Sequence, residues 1–211
     1  MQLLSIIFFS LAVSADGFIA GLAYGINKIR ITLIPLLMIA AASALAVCLS
    51  MLLGRGIAAV LPEGSAGKAG SLLLFVMGVI FLFKALRDLL HNLPAEEDHP
   101  LMTLNLRPLG IVINILKDSA AADMDASGEI SRKEAFFLGL ALAVDAMGAG
   151  VGIAMAGYNI LFTALTVGVL KFILVSSGIE LGKYIHNEAI RSIASFFPGF
   201  IFITIGVLEF I

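Results

Sequence analysis

The chain has 211 residues, 60% hydrophobic and 13% charged, with a mean hydropathy of +1.07 and a formal net charge of −2. A water-soluble domain has about a quarter of its residues charged, so this composition excludes one and implies an integral membrane protein. The near-neutral charge, with no basic cluster interleaved with aromatics, excludes a nucleic-acid partner, and the lone Cys48 excludes an intrachain disulfide.

A bilayer-crossing helix needs about 20 mostly apolar residues. Six segments meet that length, roughly 3–26, 32–53, 69–86, 135–157, 160–181 and 193–211. The expected fold class is an all-α integral membrane protein with six transmembrane helices. The N-terminus lacks the basic n-region and small-residue cleavage site of a secretory signal, so the first apolar run is expected to be a retained span. That span contains LAVSADGFIAGLAYG, which sets Asp16 in the middle of an uncharged run. An ionised residue at that depth costs about 2.5–3.5 kcal/mol on insertion scales, and such residues face a partner, an ion or a water-filled cavity. Gly17, Gly21 and Gly25 recur every fourth residue and form a small ridge that lets another helix backbone approach closely.

Span two has no charged residue between Leu33 and Gly54. The connection after span three is long. Its first part, HNLPAEEDHP, is polar and proline-broken, so it reads as a linker, and His91, Glu96, Glu97, Asp98 and His99 read as a solvated charge run rather than metal ligands. Leu109–Leu116 is apolar but too short to span.

Before span four, DMDASGEISRKE fits the twelve-residue EF-hand loop pattern. Asp123, Asp125 and Ser127 take positions one, three and five, and Gly128 takes the sharp turn at six. Glu129 offers its carbonyl at seven, Ser131 a side chain or water at nine, and Glu134 a bidentate carboxylate at twelve. Ile130 stands at position eight, where ordinary EF-hands pair with a second loop. Oxygen-only ligation suits Ca²⁺, with Mn²⁺ or Mg²⁺ as alternatives; a solvated acidic loop is the competing reading. Glu134 lies eleven residues before Asp145, about 16 Å along a helix.

Span four carries LALAVDAMGAGVGIA, with Asp145 at the place of Asp16 and a second ridge of Ala146, Gly150 and Ala154. Span five holds Lys171 at similar depth. A buried lysine needs a counter-ion, so Lys171 is a candidate partner for an aspartate, either as a structural charge pair or as an element of transport. Ser176, Ser177 and Glu180 mark an exit path at the inner end of the same span.

The halves resemble each other. Leu11, Ala12, Asp16, Ala20 and Gly21 recur 129 positions later at Leu140, Ala141, Asp145, Ala149 and Gly150, and after a one-residue slip Leu53-Gly54-Arg55 recurs as Leu181-Gly182-Lys183. With the N-terminus outside, ten Lys and Arg fall in the inner connections against Arg55 and Lys68 in the outer ones, which places both termini outside. Three spans per half make the repeat inverted, and inverted repeats place a substrate site near the midplane. The expected organisation is a first three-helix repeat at 1–86, a cytoplasmic connection at 87–134 and a second repeat at 135–211.

At SADGF and AVDAMGAGVG the chain resembles the bacterial manganese efflux pump family, the MntP-like proteins, and ADMDASGEIS with LGLALAVDAMGAG is similar to its sporulation membrane protein branch, YtaF. The resemblance covers nearly all six spans. It implies a cytoplasmic-membrane location, export of a divalent cation and metal-site roles for Asp16 and Asp145. The family's pumps carry an acidic residue in span two, where this chain has none.

The leading expectation is a secondary transporter, not an enzyme, exporting Mn²⁺ or a similar divalent cation, with Ca²⁺ at the cytoplasmic loop. Membrane lipid and metal ions are the expected partners, and a homodimer is compatible with the sequence. The second reading is a non-transporting calcium sensor or sporulation-associated assembly protein. An intramembrane aspartyl protease is disfavoured, because Ala15 and Val144 stand where a glycine would precede each catalytic aspartate.

Overall fold

The computed structural model describes residues 2–62, 65–91, 122–125, 127–184 and 196–210. Within them lie six helices, α1 (Gln2–Ile26), α2 (Leu33–Val60), α3 (Ser65–His91), α4 (Arg132–Met155), α5 (Ile160–Tyr184) and α6 (Phe197–Phe210), and two short strands, β1 (Arg30–Ile31) and β2 (Glu129–Ile130). Lipid offers no hydrogen bonds to a backbone, so a chain this apolar satisfies its peptide groups within helices. The outward faces suit hydrocarbon: Leu45, Leu53, Phe83 and Leu165 are each more than half exposed, which water would penalise.

Among the described residues, α1, α2, α3 and α5 are long and apolar enough to cross a membrane. Helix α4 meets that condition only across a 45° bend between Arg132–Val144 and Ala146–Met155. Helix α6 has 14 residues, about 21 Å of rise against a hydrocarbon core of about 30 Å. The expected segment 32–53 covers the first part of α2, which runs on to Val60, and 69–86 is the centre of α3, which extends at both ends. Expectations for the linker and for Leu109–Leu116 fall on residues 92–121, outside those described.

Local chemistry fixes the helix ends. Helix α1 stops where Lys28 takes a left-handed backbone (φ 59°) and Ile29 N–H returns to the Tyr24 carbonyl at 2.9 Å. Helix α4 starts with a capping box: Ser131 Oγ accepts from Glu134 N–H, and Glu134 Oε2 accepts from Ser131 N–H at 2.7 Å. It ends before Gly157 at φ +88°, a conformation that favours glycine.

The main partners are not sequence neighbours. Helix α1 lies along α5, α2 along α4 and α3 along α6, with α2 also meeting α5, whereas α1 and α2 share little contact. Glycines permit these approaches. A Cβ on Gly21 would meet Val175, Gly178 and Ile179, and one on Gly25 would meet Ile179 and Gly182. In the other pair, a Cβ on Gly150 would meet Val47 and Ser50, and one on Gly54 would meet Val151 and Ala154. Residue numbers rise together in both pairs, so α1 runs parallel to α5 and α2 parallel to α4. Gly78 meets Gly199 and Ile203 while Gly206 meets Ser71 and Phe75, so α3 and α6 are antiparallel.

Two apolar clusters form the interior. One holds Phe9, Val13, Val47, Met51, Leu74, Ala146, Val167 and Phe202; the other holds Ala20, Tyr24, Ile39, Ile130, Leu138, Ala141 and Val175. Along each of four helices the boundary between them falls on a polar position. Asp16 lies between Val13 and Ala20, Ser43 between Ile39 and Val47, Asp145 between Ala141 and Ala146, and Lys171 between Val167 and Val175.

Candidate metal centre

At the boundary layer, Lys171 is completely buried, and its Nζ lies 2.5 Å from Asp16 Oδ1. The same ammonium donates to the Val13 carbonyl at 3.4 Å. Gly17 makes room for it, because a Cβ there would stand 2.9 Å from Lys171 Cδ and 2.9 Å from Val175 Cγ2. The Asp16 side chain retains 20% exposure, yet its Oδ2 is buried and has no hydrogen-bond partner among the described residues. Ser43 Oγ and Ser10 Oγ are likewise buried and unpartnered. Ser14 Oγ, two residues before Asp16, donates to the Val167 carbonyl at 3.4 Å. A buried carboxylate oxygen with spare lone pairs can accept a hard cation. The Asp145 backbone sits at the α4 bend; its side chain is not among those described.

The glycines singled out in the sequence all lie at interfaces: Gly17, Gly21 and Gly25 against α5, and Gly150 against α2. Ser43 stands 128 positions before Lys171, so the repeat marks it in the sequence as the lysine's uncharged counterpart in the first half; nothing in the sequence marks Ser10.

The second carboxylate group is the loop leading into α4. Asp123, Asp125 and Glu134 each bring a carboxylate oxygen within 4.8 Å of the others. Asp123 accepts from Ser127 N–H (3.0 Å) and Gly128 N–H (2.9 Å), and Asp125 accepts from Ser127 N–H (3.0 Å). Hydrogen bonds from Ser127 hold the Asp125 carboxyl below the usual carboxylate range. Gly128 makes the turn at φ +77°. Glu134 is buried and accepts from Met124 N–H at 2.8 Å as well as from Ser131. Ser127 Oγ donates to the Glu129 carbonyl at 3.0 Å. The donor set is all oxygen and carries three carboxylates, which fits Ca²⁺ or Mn²⁺ by chemistry.

Among the described residues, Ile130 does not meet a second loop of the same kind. Strand β2 pairs in parallel with β1, Arg30 opposite Glu129 and Ile31 opposite Ile130, and Arg30 N–H reaches the Gly128 carbonyl at 2.8 Å. This ties the acidic loop to the turn between α1 and α2. A cavity of about 310 Å³ beside the ladder is lined by Thr32, Pro35, Ser127, Glu129, Ser131 and Arg132, among others.

Residues 103–209 match the family described as "Putative manganese efflux pump". "Probable sporulation protein YtaF" of Bacillus subtilis (strain 168) is 35% identical over 207 residues, covering 98% of this chain and 99% of that one. The chain belongs to the MntP family. "Putative manganese efflux pump MntP" of Clostridium perfringens (strain SM101 / Type A) is 26% identical over 211 residues, covering 98% of this chain and 93% of its own. "Probable manganese efflux pump MntP" of Escherichia coli O139:H28 (strain E24377A / ETEC) is 34% identical over 97 residues, 44% of this chain and 50% of its own. No solved structure matches. An MntP family member with these apolar helices is a multi-pass protein of the bacterial inner membrane, and the family is one of transporters rather than enzymes.

Proposed function

We propose that the chain exports a divalent cation, Mn²⁺ or a similar ion such as Ca²⁺, through a mid-membrane site formed by Asp16 and Asp145. The observation that carries the reading is Asp16 itself. It is a carboxylate in the middle of a membrane helix, in a polar layer between two apolar clusters, with one oxygen unpartnered among the described residues. The relatives named manganese efflux pumps support the same cargo. Carbonyl and hydroxyl oxygens complete six or more ligands.

The halves act as inverted repeats, 1–86 and 135–211, joined by 87–134, with both termini outside. Matching helix registers support this: Gly21 against Val175 corresponds to Gly150 against Val47, and Gly25 against Gly182 corresponds to Ala154 against Gly54. Rocking of one repeat against the other exposes the site alternately. Export against the membrane potential needs a coupling ion, and protons returning on the emptied site supply it. The loop of Asp123, Asp125, Ser127, Glu129, Ser131 and Glu134 senses cytoplasmic cation and acts on α4 through its capping residue.

Proteoliposomes loaded with Mn²⁺ test the reading. Wild type shows metal flux with proton counterflow, and Asp16→Asn abolishes it; flux that survives Asp16→Asn refutes the site. The alternative, a calcium sensor or sporulation-associated assembly protein without transport, is favoured by the three converging loop carboxylates and by the name of the Bacillus relative. It requires that Asp16→Asn leave function intact.

A further inference from the structure

The polar layer is not symmetric between the halves. In the first, Asp16 faces an ammonium; at the corresponding place in the second, the residue on α2 is Ser43, whose hydroxyl cannot neutralise charge. We propose that Lys171 is a tethered cation that occupies Asp16 when no cargo is bound, and that cargo binding requires its displacement. This rests on the reading of Asp16 as a transport ligand.

Three observations support it. First, among the described residues, the ammonium bonds one carboxylate oxygen of Asp16 and leaves Oδ2 buried without a partner. A pair serving only to hold helices together leaves such an acceptor unmet at a cost, whereas an ion seat keeps it available. Second, the ammonium has somewhere to go, since the Val13 carbonyl already lies 3.4 Å from Nζ and a four-carbon stem has freedom to swing. Third, Gly17 holds open the space along that stem.

The consequence is selectivity by charge. A tethered ammonium carries the same charge as Na⁺ or K⁺ and does not diffuse away, so a monovalent ion gains little by replacing it. A divalent ion doubles the attraction to the carboxylate and takes the seat. Lys171 is thus a specificity-determining residue that screens out monovalent cations.

The test is equilibrium Mn²⁺ binding to the purified full-length chain in detergent, following the component of binding that Asp16→Asn removes. Lys171→Met is expected to bind Mn²⁺ at least about tenfold more tightly than wild type and to become sensitive to competition by Na⁺. Adding Asp16→Asn to Lys171→Met must erase the gain. Equal or weaker binding by monodisperse Lys171→Met overturns the proposal while leaving the export reading standing. If Lys171→Met is not recovered folded, Lys171→Arg decides: its bidentate grip on the carboxylate must weaken Mn²⁺ binding several-fold, and unchanged affinity overturns the proposal. Absence of an Asp16-dependent component in wild type and in Lys171→Met overturns both the export reading and this inference.

Discussion

Helix α2 contains its own control for the role of glycine in the interfaces. A Cβ on Gly54 would lie 2.6 Å from the Val151 carbonyl oxygen, 2.9 Å from Ala154 Cβ and 3.0 Å from Val151 Cα, whereas a Cβ on Gly56 would meet nothing within 4 Å. Carbon atoms settle at about 3.5–4.0 Å, so Gly54→Ala forces α2 and α4 apart by close to 1 Å at that level. Overpacking of this kind costs about 1–3 kcal/mol. The intrinsic gain of alanine over glycine in a helix is about 1 kcal/mol and applies at both positions, so Gly56→Ala is neutral or stabilising. For a chain of this length each kcal/mol moves the melting temperature by about 2–4 °C, which puts Gly54→Ala about 2–12 °C below Gly56→Ala. Heating a fluorescent-protein fusion in detergent and measuring the monodisperse fraction by size exclusion reads this difference. Gly25→Ala, whose Cβ would lie 2.7 Å from Gly182 Cα, must fall with Gly54→Ala. If Gly54→Ala melts with Gly56→Ala, close backbone approach is not what holds α2 to α4.

Removing either partner of the buried Asp16–Lys171 pair leaves a charge uncompensated and costs about 3–5 kcal/mol; in the same assay Asp16→Asn/Lys171→Met is expected to be more stable than either single variant, and additive losses would show that the two side chains are not coupled. Glu134→Gln keeps the size of the capping residue but removes a loop carboxylate, so Mn²⁺ flux in proteoliposomes should lose its response to cytoplasmic-side Ca²⁺; a response identical to wild type excludes the loop as a sensor.

What could be read from the sequence followed the cost of charge in lipid. Asp16 and Lys171 stand out because each interrupts a long apolar run, and the pairing of Asp16 with Asp145 in sequence followed from the spacing of the halves. The choice of partners could not be read in the same way. Helices apolar on every side show no preferred face, so the glycine ridge of α1 was visible while its seat on Gly178 and Gly182 was not. The repeat marks Ser43 as the uncharged counterpart of Lys171, but that its hydroxyl is buried without a partner among the described residues follows only from packing. The β1–β2 ladder has two residues per strand, too few for any alternation to register. The bend of α4 falls at Asp145 without a proline, so nothing in the local sequence announced it. The acidic loop, by contrast, was legible in detail, because its turn is built by local backbone hydrogen bonds to the carboxylates of Asp123 and Asp125 rather than by distant packing.

The pairing of α1 with α5 also sets a timetable for synthesis. Gly25 and Gly182, which face each other across that interface, are 157 positions apart in the chain. At about 5–20 residues per second, α1 waits in the bilayer for some 8–30 s before its main neighbour is made. During that interval α1 and α2 have little to hold on to in each other, and their glycine faces rest against lipid. A ribosome stalled after α3 would therefore leave three dispersed helices rather than half a protein. Among the described residues, the main helix contacts of each half are with the other, and each is completed by the other's arrival.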